Sequence, residues 1–154
     1  MDKEVEGFLN IALPIINNEK YKHHGTTSIY RHAILVAFIA YRKAVKKKNV
    51  NLEDLVTGAL LHDLYFYDWH EPNSHKRPHG YTHPREAMEN AIKYFNVNKH
   101  VQHIIRTHMW PLTLFHMPLT KEARMVSHAD KKATLYEIIK LRRFMRKKNK
   151  LLKK

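Results

Sequence analysis

The sequence predicts an all-α protein, a compact single-domain helical bundle of about six to seven helices that takes in residues 1–154. Three observations predict this fold class. The chain of 154 residues is long enough for one hydrophobic core. Only four glycines and six prolines interrupt it, and apolar residues recur at three- and four-residue intervals through most of its length. No apolar run approaches the roughly 18 residues of a membrane span, so we expect no transmembrane segment.

Two further features of the composition bear on the cellular setting. The N-terminus is acidic and amphipathic and lacks the charged-then-apolar order of a signal peptide, so we expect a cytoplasmic protein. The absence of cysteine excludes a disulfide framework and a thiolate zinc site. Neither feature defines the oligomeric state, which the sequence leaves open.

Two helices are predicted in the first third of the chain. Residues 3–13 predict a short amphipathic helix that Pro14 either kinks or follows with a new first turn. Residues 28–47 predict a longer helix, because their apolar side chains recur at helical spacing. His32 lies among the inward-facing positions of this second helix. A lone histidine there is compatible with an ordinary core side chain as well as with a ligand.

The middle of the chain predicts a third helix, a long loop and a fourth helix. Asn51 is the expected N-cap of the third helix, which ends on the pair His62-Asp63. Residues 65–83 contain prolines, a glycine and no sustained period, so they predict a loop of roughly 15–20 residues. Pro84 fits the first position of the next helix, which runs to about Phe95.

The last third of the chain predicts two more helices. Asn98 is the expected N-cap of one, which Pro111 ends, and Thr120 is the expected N-cap of the other. Asp130 lies beside the apolar stripe of the last helix. The residues predicted to form its buried face are Met125, Val126, Ala129, Ala133, Tyr136 and Ile139.

Basic charge is concentrated at the C-terminus. The formal net charge is +14, but residues 140–154 hold nine Lys or Arg and no acidic residue, so the rest of the chain carries only about +5. We interpret this basic tail as a solvated helix end. The alternative is a surface that binds a polyanion such as nucleic acid, or a membrane. The apolar side chains that mark whatever part of it packs are Leu141, Phe144, Met145, Leu151 and Leu152.

The pair His62-Asp63 is the starting point for a candidate site. It offers one nitrogen and one carboxylate, a combination that suits a borderline or hard divalent cation. Because consecutive helical residues point about 100° apart, the two can share an ion only at a seam that other helices complete. Four further candidates each lie on or at the end of a different predicted helix: His32, His83, His108 and Asp130.

The order of these residues, H…HD…H…H…D, resembles the HD superfamily of metal-dependent phosphohydrolases over about residues 28–135. The resemblance implies an all-α bundle in which His32, the pair His62-Asp63 and Asp130 hold one metal. Segments of the sequence that match are RHAILVA, LLHDL and SHADKKA.

Members of this superfamily with two metals add two more histidines, one in an HP motif and one at a later helix end. The segments THPREAMENA and RTHMWP resemble these, which nominates His83 and His108. The chain departs from the HD-GYP phosphodiesterases, because Leu64, Tyr65 and Phe66 replace the Gly-Lys after the pair and no GYP segment follows. The departures argue against cleavage of cyclic dinucleotides.

The resemblance implies hydrolysis of a phosphate mono- or diester of a small metabolite or nucleotide through a metal-activated hydroxide. It also implies one or two divalent transition-metal ions as cofactor. Histidine-rich sites with carboxylates suit Mn, Fe, Co, Ni or Zn better than Mg. The expected partner is therefore a small phosphorylated substrate.

Charged and aromatic residues near these ligands are candidates for the reaction itself. Asp63 would bridge the two ions, and Lys131, next to the distal aspartate, would bind phosphate and take part in catalysis. Asp68 would protonate a leaving group or orient water, or else cap the loop. Candidate substrate-binding residues lie in or beside the long loop: Trp69, Lys76, Arg77 and Arg85.

Two alternatives stay open. The chain is compatible with a helical module that binds polyanions through the basic tail and uses its histidines structurally. It is also compatible with an HD-fold oxygenase that holds a mixed-valent di-iron site, because the ligand set is shared.

Overall fold

The computed structural model describes residues 3–18, 21, 27–65 and 79–152 of the chain. Within these ranges the protein is all-α, as predicted, with six α-helices and no strand. No helix in this part of the chain is long and apolar enough to cross a membrane. Most of the predicted long loop lies outside the described residues. The helices are α1 (Lys3–Ile16), α2 (Thr27–Ala44), α3 (Leu52–Leu61), α4 (His79–Phe95), α5 (Lys99–Thr107) and α6 (Lys121–Leu152).

Helix α3 lies at the centre of the bundle and contacts each of the other five helices. After its first turn the sequence is apolar on every side, which requires partners all around the helix. The C-terminal end of α3 is therefore inside the protein, where it carries the pair His62-Asp63. The buried residues of the helix are Leu55, Val56, Gly58, Ala59, Leu60 and Leu61.

Helices α3 and α5 approach each other closely at Gly58. A Cβ atom at this position would lie 2.6 Å from Cγ2 of Ile104, closer than van der Waals contact allows. The missing side chain thus permits the spacing between the two helices. Because α3 leads into His62 and α5 leads into His108, the close approach also brings these two rings together, with centroids 4.8 Å apart.

Three helix starts predicted from capping residues are confirmed. In each, a side-chain oxygen accepts a hydrogen bond from the backbone N–H three residues later, which satisfies one of the free donors of the first turn. The bonds are 3.0 Å long at Asn51, 2.9 Å at Asn98 and 3.2 Å at Thr120.

The predicted start of α4 is wrong. The helix begins at His79, so Pro84 lies in its second turn rather than its first. A proline there removes one backbone hydrogen bond. Its ring is fully buried, and the neighbouring His83 is buried, so this part of α4 packs inside the bundle. His83 consequently lies within α4 and not just before its first turn.

The predicted buried face of α6 is correct only over its first half. Val126, Ala129 and Ala133 are buried, whereas Tyr136 and Ile139 are exposed. The helix continues beyond the bundle to Leu152, which agrees with a solvated helix end. The apolar tail residues that the structure describes do not pack: they are Leu141, Phe144 and Met145, all exposed.

Candidate metal centre

The end of α3 places His62 inside the protein with one ring nitrogen unused. Its Nδ1 lies 2.7 Å from the carbonyl oxygen of Ala59. Because a carbonyl only accepts, Nδ1 carries a hydrogen and donates it. Nε2 is left for a proton or a metal, and this buried atom has no hydrogen-bond partner among the described residues. Such an atom is costly unless a ligand satisfies it.

Helix α5 ends in the same arrangement. Nδ1 of His108 donates to the carbonyl oxygen of Ile105 at 2.8 Å, again three residues earlier. Carbonyls in the last turn of a helix lack a partner within the helix, so they are available to fix an imidazole in this way. Nε2 of His108 then faces Nε2 of His83, which α4 supplies, at 2.9 Å.

Two carboxylates lie among these imidazoles. Oδ1 of Asp63 is 3.2 Å from Nε2 of His83 and 3.6 Å from Nε2 of His108. The other oxygen of Asp63 lies 3.3 Å from Nε2 of His62. Asp130, on α6, places Oδ1 at 3.8 Å from the same nitrogen of His62. Asp63 thus faces both halves of the cluster, as a bridging ligand would.

His32 enters the cluster from α2, and a glutamate that sequence reasoning missed fixes its ring. Nε2 of His32 lies 3.1 Å from Oδ1 of Asp130, and its Nδ1 lies 2.9 Å from Oε2 of Glu137. Burial opposes charge on His32, but the carboxylates of Asp130, Asp63 and Glu137 together outweigh it and raise the pKa. Glu137 lies two helical turns after Asp130 on the same face of α6, a spacing that would have identified it.

The charges inside the cluster favour a bound cation. Burial disfavours an ionised Asp63, but the imidazoles of His62, His83 and His108 together outweigh it and hold the pKa of this carboxyl well below its usual range. Burial also disfavours an ionised Asp130, but the hydrogen bond with His32, together with His62 and His108, outweighs it, so the pKa of Asp130 is lowered. Burial, reinforced by His62, lowers the pKa of His108 to about 3. Two carboxylates are therefore ionised at neutral pH, and His108 is neutral and able to bind a metal.

The donor set fits a divalent metal. Its atoms fall into two groups in which all donors lie within 4.8 Å of one another. One group is His32, His62 and Asp130, and the other is His62, Asp63 and His108, which His83 adjoins. Imidazole nitrogens and carboxylate oxygens suit a first-row transition metal. The structure therefore brings together all six residues that the sequence nominated as ligands, and we call them the candidate metal centre.

Lys131 also lies at this centre, but its ammonium is already hydrogen-bonded. Nζ donates to the carbonyl oxygen of His108 at 3.2 Å and to the carbonyl and hydroxyl oxygens of Ser127 at 3.0 and 2.8 Å. Burial lowers its pKa. Lys131 thus ties the end of α5 to α6 and holds a positive charge at the wall of the cavity.

The other nominated residues are either remote or not described. Arg85 is exposed, and its Nε lies 3.6 Å from Oε1 of Glu89, away from the cavity lining that the structure describes. Its role in binding substrate stays a prediction. Four nominated residues fall outside the described part of the chain: Asp68, Trp69, Lys76 and Arg77.

Fold and site together define an all-α protein with a histidine–aspartate centre that could hold a divalent metal. A family model described as "HD domain" matches residues 29–135, which is more than half of the chain and contains the whole candidate metal centre. The chain belongs to the HD domain family, whose members are generally metal-dependent hydrolases. Comparisons with curated proteins and with solved structures gave no match.

Proposed function

We propose that this protein is a metal-dependent phosphohydrolase that cleaves a phosphate mono- or diester of a small metabolite or nucleotide. The observation that carries the proposal is the buried Nε2 of His62, which has carboxylates near it and no hydrogen-bond partner among the described residues. Most buried polar atoms in proteins are hydrogen-bonded, so a ligand at this nitrogen would account for it. A cavity of about 860 Å³ beside the candidate metal centre supports the proposal, because it has room for a small phosphorylated molecule.

The candidate metal centre would hold one or two divalent ions. One would be held by His32, His62, Asp63 and Asp130, and a second by Asp63, His83 and His108. When bound, such a metal supplies positive charge to phosphoryl oxygens and lowers the pKa of water enough for attack at neutral pH.

The side chains around the metal would orient the reacting groups. Asp63 would bridge the ions, because its two oxygens face opposite halves of the cluster. Lys131 would hold the last turn of α5 in place and add positive charge beside the phosphate position. Glu137 would keep the ring of His32 turned toward Asp130. Roles for Asp68, Trp69, Lys76, Arg77 and Arg85 in substrate binding and proton transfer are proposed from sequence.

Metal content and activity measured together test the proposal. Protein purified without added metal is expected to contain Mn, Fe, Co, Ni or Zn by elemental analysis and to hydrolyse members of a phosphatase and phosphodiesterase panel. The double variant His62→Ala/Asp63→Ala should lose both properties. His128→Ala is the matched control, because His128 is exposed and lies two residues before Asp130. A double variant that binds as much metal as the wild type would show that the site is misassigned.

Polyanion binding by the basic tail is a second candidate function. Arg142, Arg143 and Arg146 are exposed on a part of α6 that extends beyond the bundle. Deletion of residues 140–154 distinguishes the two candidates. Loss of salt-sensitive RNA or DNA binding, in a full-length protein with neither metal nor hydrolase activity, would favour the polyanion module. A change in absorbance when anaerobically purified protein is exposed to oxygen would distinguish a di-iron oxygenase from the phosphohydrolase and from the polyanion module.

A further inference from the structure

The cavity beside the candidate metal centre has two chemically different ends. Its inner end is formed by histidines and carboxylates, and Lys131 also lines it. Its outer wall is apolar and comes from two elements, the segment after α5 and the fourth and fifth turns of α6. The apolar wall residues are Met109, Pro111, Leu112, Leu135 and Ile138.

The apolar wall is open to solvent and extends along α6. Leu112, Leu135 and Ile138 are 43%, 59% and 43% exposed. On α6 the spacing of Lys131, Leu135 and Ile138 places them on one face of the helix. Met145, which is 44% exposed, lies on the same face two turns further, about 10 Å along the axis. An apolar surface therefore begins at the metal end of the cavity and continues to Ile138, where Arg142 follows on the same face before Met145.

Within the described part of the chain, few groups on this wall can recognise a polar molecule. Among the lining residues that the structure describes, Tyr65 and Thr134 are the uncharged side chains with a hydroxyl group. A nucleobase or sugar carries several donors and acceptors, and each one that leaves water without finding a partner weakens binding. An alkyl chain has none of these groups and gains free energy when it is buried against leucine and isoleucine.

We infer that the cavity takes a phosphate monoester of an apolar alcohol, with the phosphate at the candidate metal centre and the chain against Leu112, Leu135 and Ile138. The inference rests on the proposed phosphohydrolase function and narrows its substrate class from metabolites and nucleotides in general to amphiphilic phosphate esters.

A chain-length series tests the inference on the metal-loaded, full-length protein. The substrates are monoalkyl phosphates from ethyl to octyl, with AMP and glycerol phosphate as polar esters. We expect kcat/KM to rise about two- to fourfold per methylene and to exceed the values for both polar esters. Non-hydrolysable alkyl phosphonates, titrated by calorimetry, should show the same trend in Kd.

Two matched pairs of variants test whether the apolar wall causes the rise in kcat/KM per methylene. Leu135→Ser should reduce the gain in kcat/KM per methylene, whereas Leu141→Ser should not. Leu141 is about as exposed on the same helix, but it does not line the cavity. Ile138→Asn and Ile92→Asn form the second pair, at 43% and 39% exposure. None of these four side chains is buried, so folding should survive in every variant, and circular dichroism melting checks this.

The outcomes separate this inference from the proposed function. A flat chain-length series, a preference for AMP or glycerol phosphate, or equal effects of Leu135→Ser and Leu141→Ser would overturn the inference and leave phosphohydrolase activity standing. Absence of hydrolysis of every ester would contradict the proposed function, and the phosphonate titrations would still test the apolar preference.

Hydrolysis of a long-chain alkyl phosphate held in phosphatidylcholine vesicles would identify a membrane-borne ester as the source. Hydrolysis of the dispersed ester alone would identify a free one, and both results support the inference.

Discussion

Two clusters of histidine and carboxylate both use helices α3, α5 and α6, and they differ in how their ring nitrogens are satisfied. The first is the candidate metal centre, and we call the second the cap cluster. The residues of the cap cluster are Asp54, His100 and Glu122, each eight positions before His62, His108 and Asp130 respectively. Eight helical residues rise about 12 Å, so the two clusters occupy different levels of the bundle.

The partners of the ring nitrogens distinguish the clusters. Nδ1 of His100 lies 2.8 Å from Oδ2 of Asp54, and its Nε2 lies 3.2 Å from Oγ1 of Thr120 and 3.3 Å from Oε2 of Glu122. These acceptors lie in the first turns or at the caps of α3 and α6, so His100 joins helix starts. His62 instead uses one nitrogen for its own helix, and the other, 3.3 Å from Oδ2 of Asp63, has no hydrogen-bond partner among the described residues. The two clusters therefore differ in how their ring nitrogens are satisfied, and the free Nε2 of His62 lies among the carboxylates of the candidate metal centre.

Metal removal is expected to give the largest difference in thermal stability between variants of the two clusters. An ion present at a thousand times its Kd stabilises the folded chain by about 4 kcal/mol, which corresponds to a shift in Tm of about 10 °C for a chain of this size. Thermal melting with and without a chelator measures it. Glu122→Gln, in the cap cluster, should keep this metal-dependent shift, whereas Asp130→Asn, in the candidate metal centre, should lose most of it. An undiminished shift in Asp130→Asn would contradict the assignment.

Proton release on metal binding is the next largest expected effect. Burial opposes charge on His62, but the carboxylate of Asp63, with that of Asp130, outweighs it and raises the pKa of His62 to about 9 in the metal-free protein. A metal must displace this proton, so its affinity should rise with pH by up to about tenfold per unit and level off above pH 9. In the metal-free protein, the stabilising contribution of this raised pKa is full below the ordinary value of 6.5 and is lost as pH rises through about 9.

Calorimetric titration with nickel in two buffers of different ionisation enthalpy measures the released protons directly. At pH 7.5 we expect release of at least about one proton per ion. His100→Ala should release the same number, because the cap cluster takes no part in binding. Metal binding without proton release would show that His62 is not a ligand.

The sequence predicts the helix caps and the candidate ligands, but it does not predict the contacts that join different helices. Capping residues act within one turn, so Asn51, Asn98 and Thr120 could be identified as helix starts from local pattern alone. The order of histidines and aspartates likewise nominated six residues that the structure brings together. The bonds that join helix starts through His100 depend on how α3, α5 and α6 pack, which no local pattern specifies. The spacing of Glu137 from Asp130 could have identified it as a candidate, but its contact with His32 spans 105 positions and depends on how α2 and α6 pack.

Loss of an N-cap is expected to give the smallest effect on stability. It also tests whether the cap cluster and the candidate metal centre are independent. Asn51→Ala removes the bond from the side chain to the backbone of Asp54 and should destabilise the protein by about 1 kcal/mol. Asn10→Ala is the control, because Asn10 is exposed within α1, and it should be neutral or slightly stabilising. Urea denaturation measures both, and elemental analysis should find the wild-type metal content in each. Loss of metal from Asn51→Ala would mean that the two levels of the bundle are coupled, because α3 would then transmit disorder from its first turn to His62 at its end.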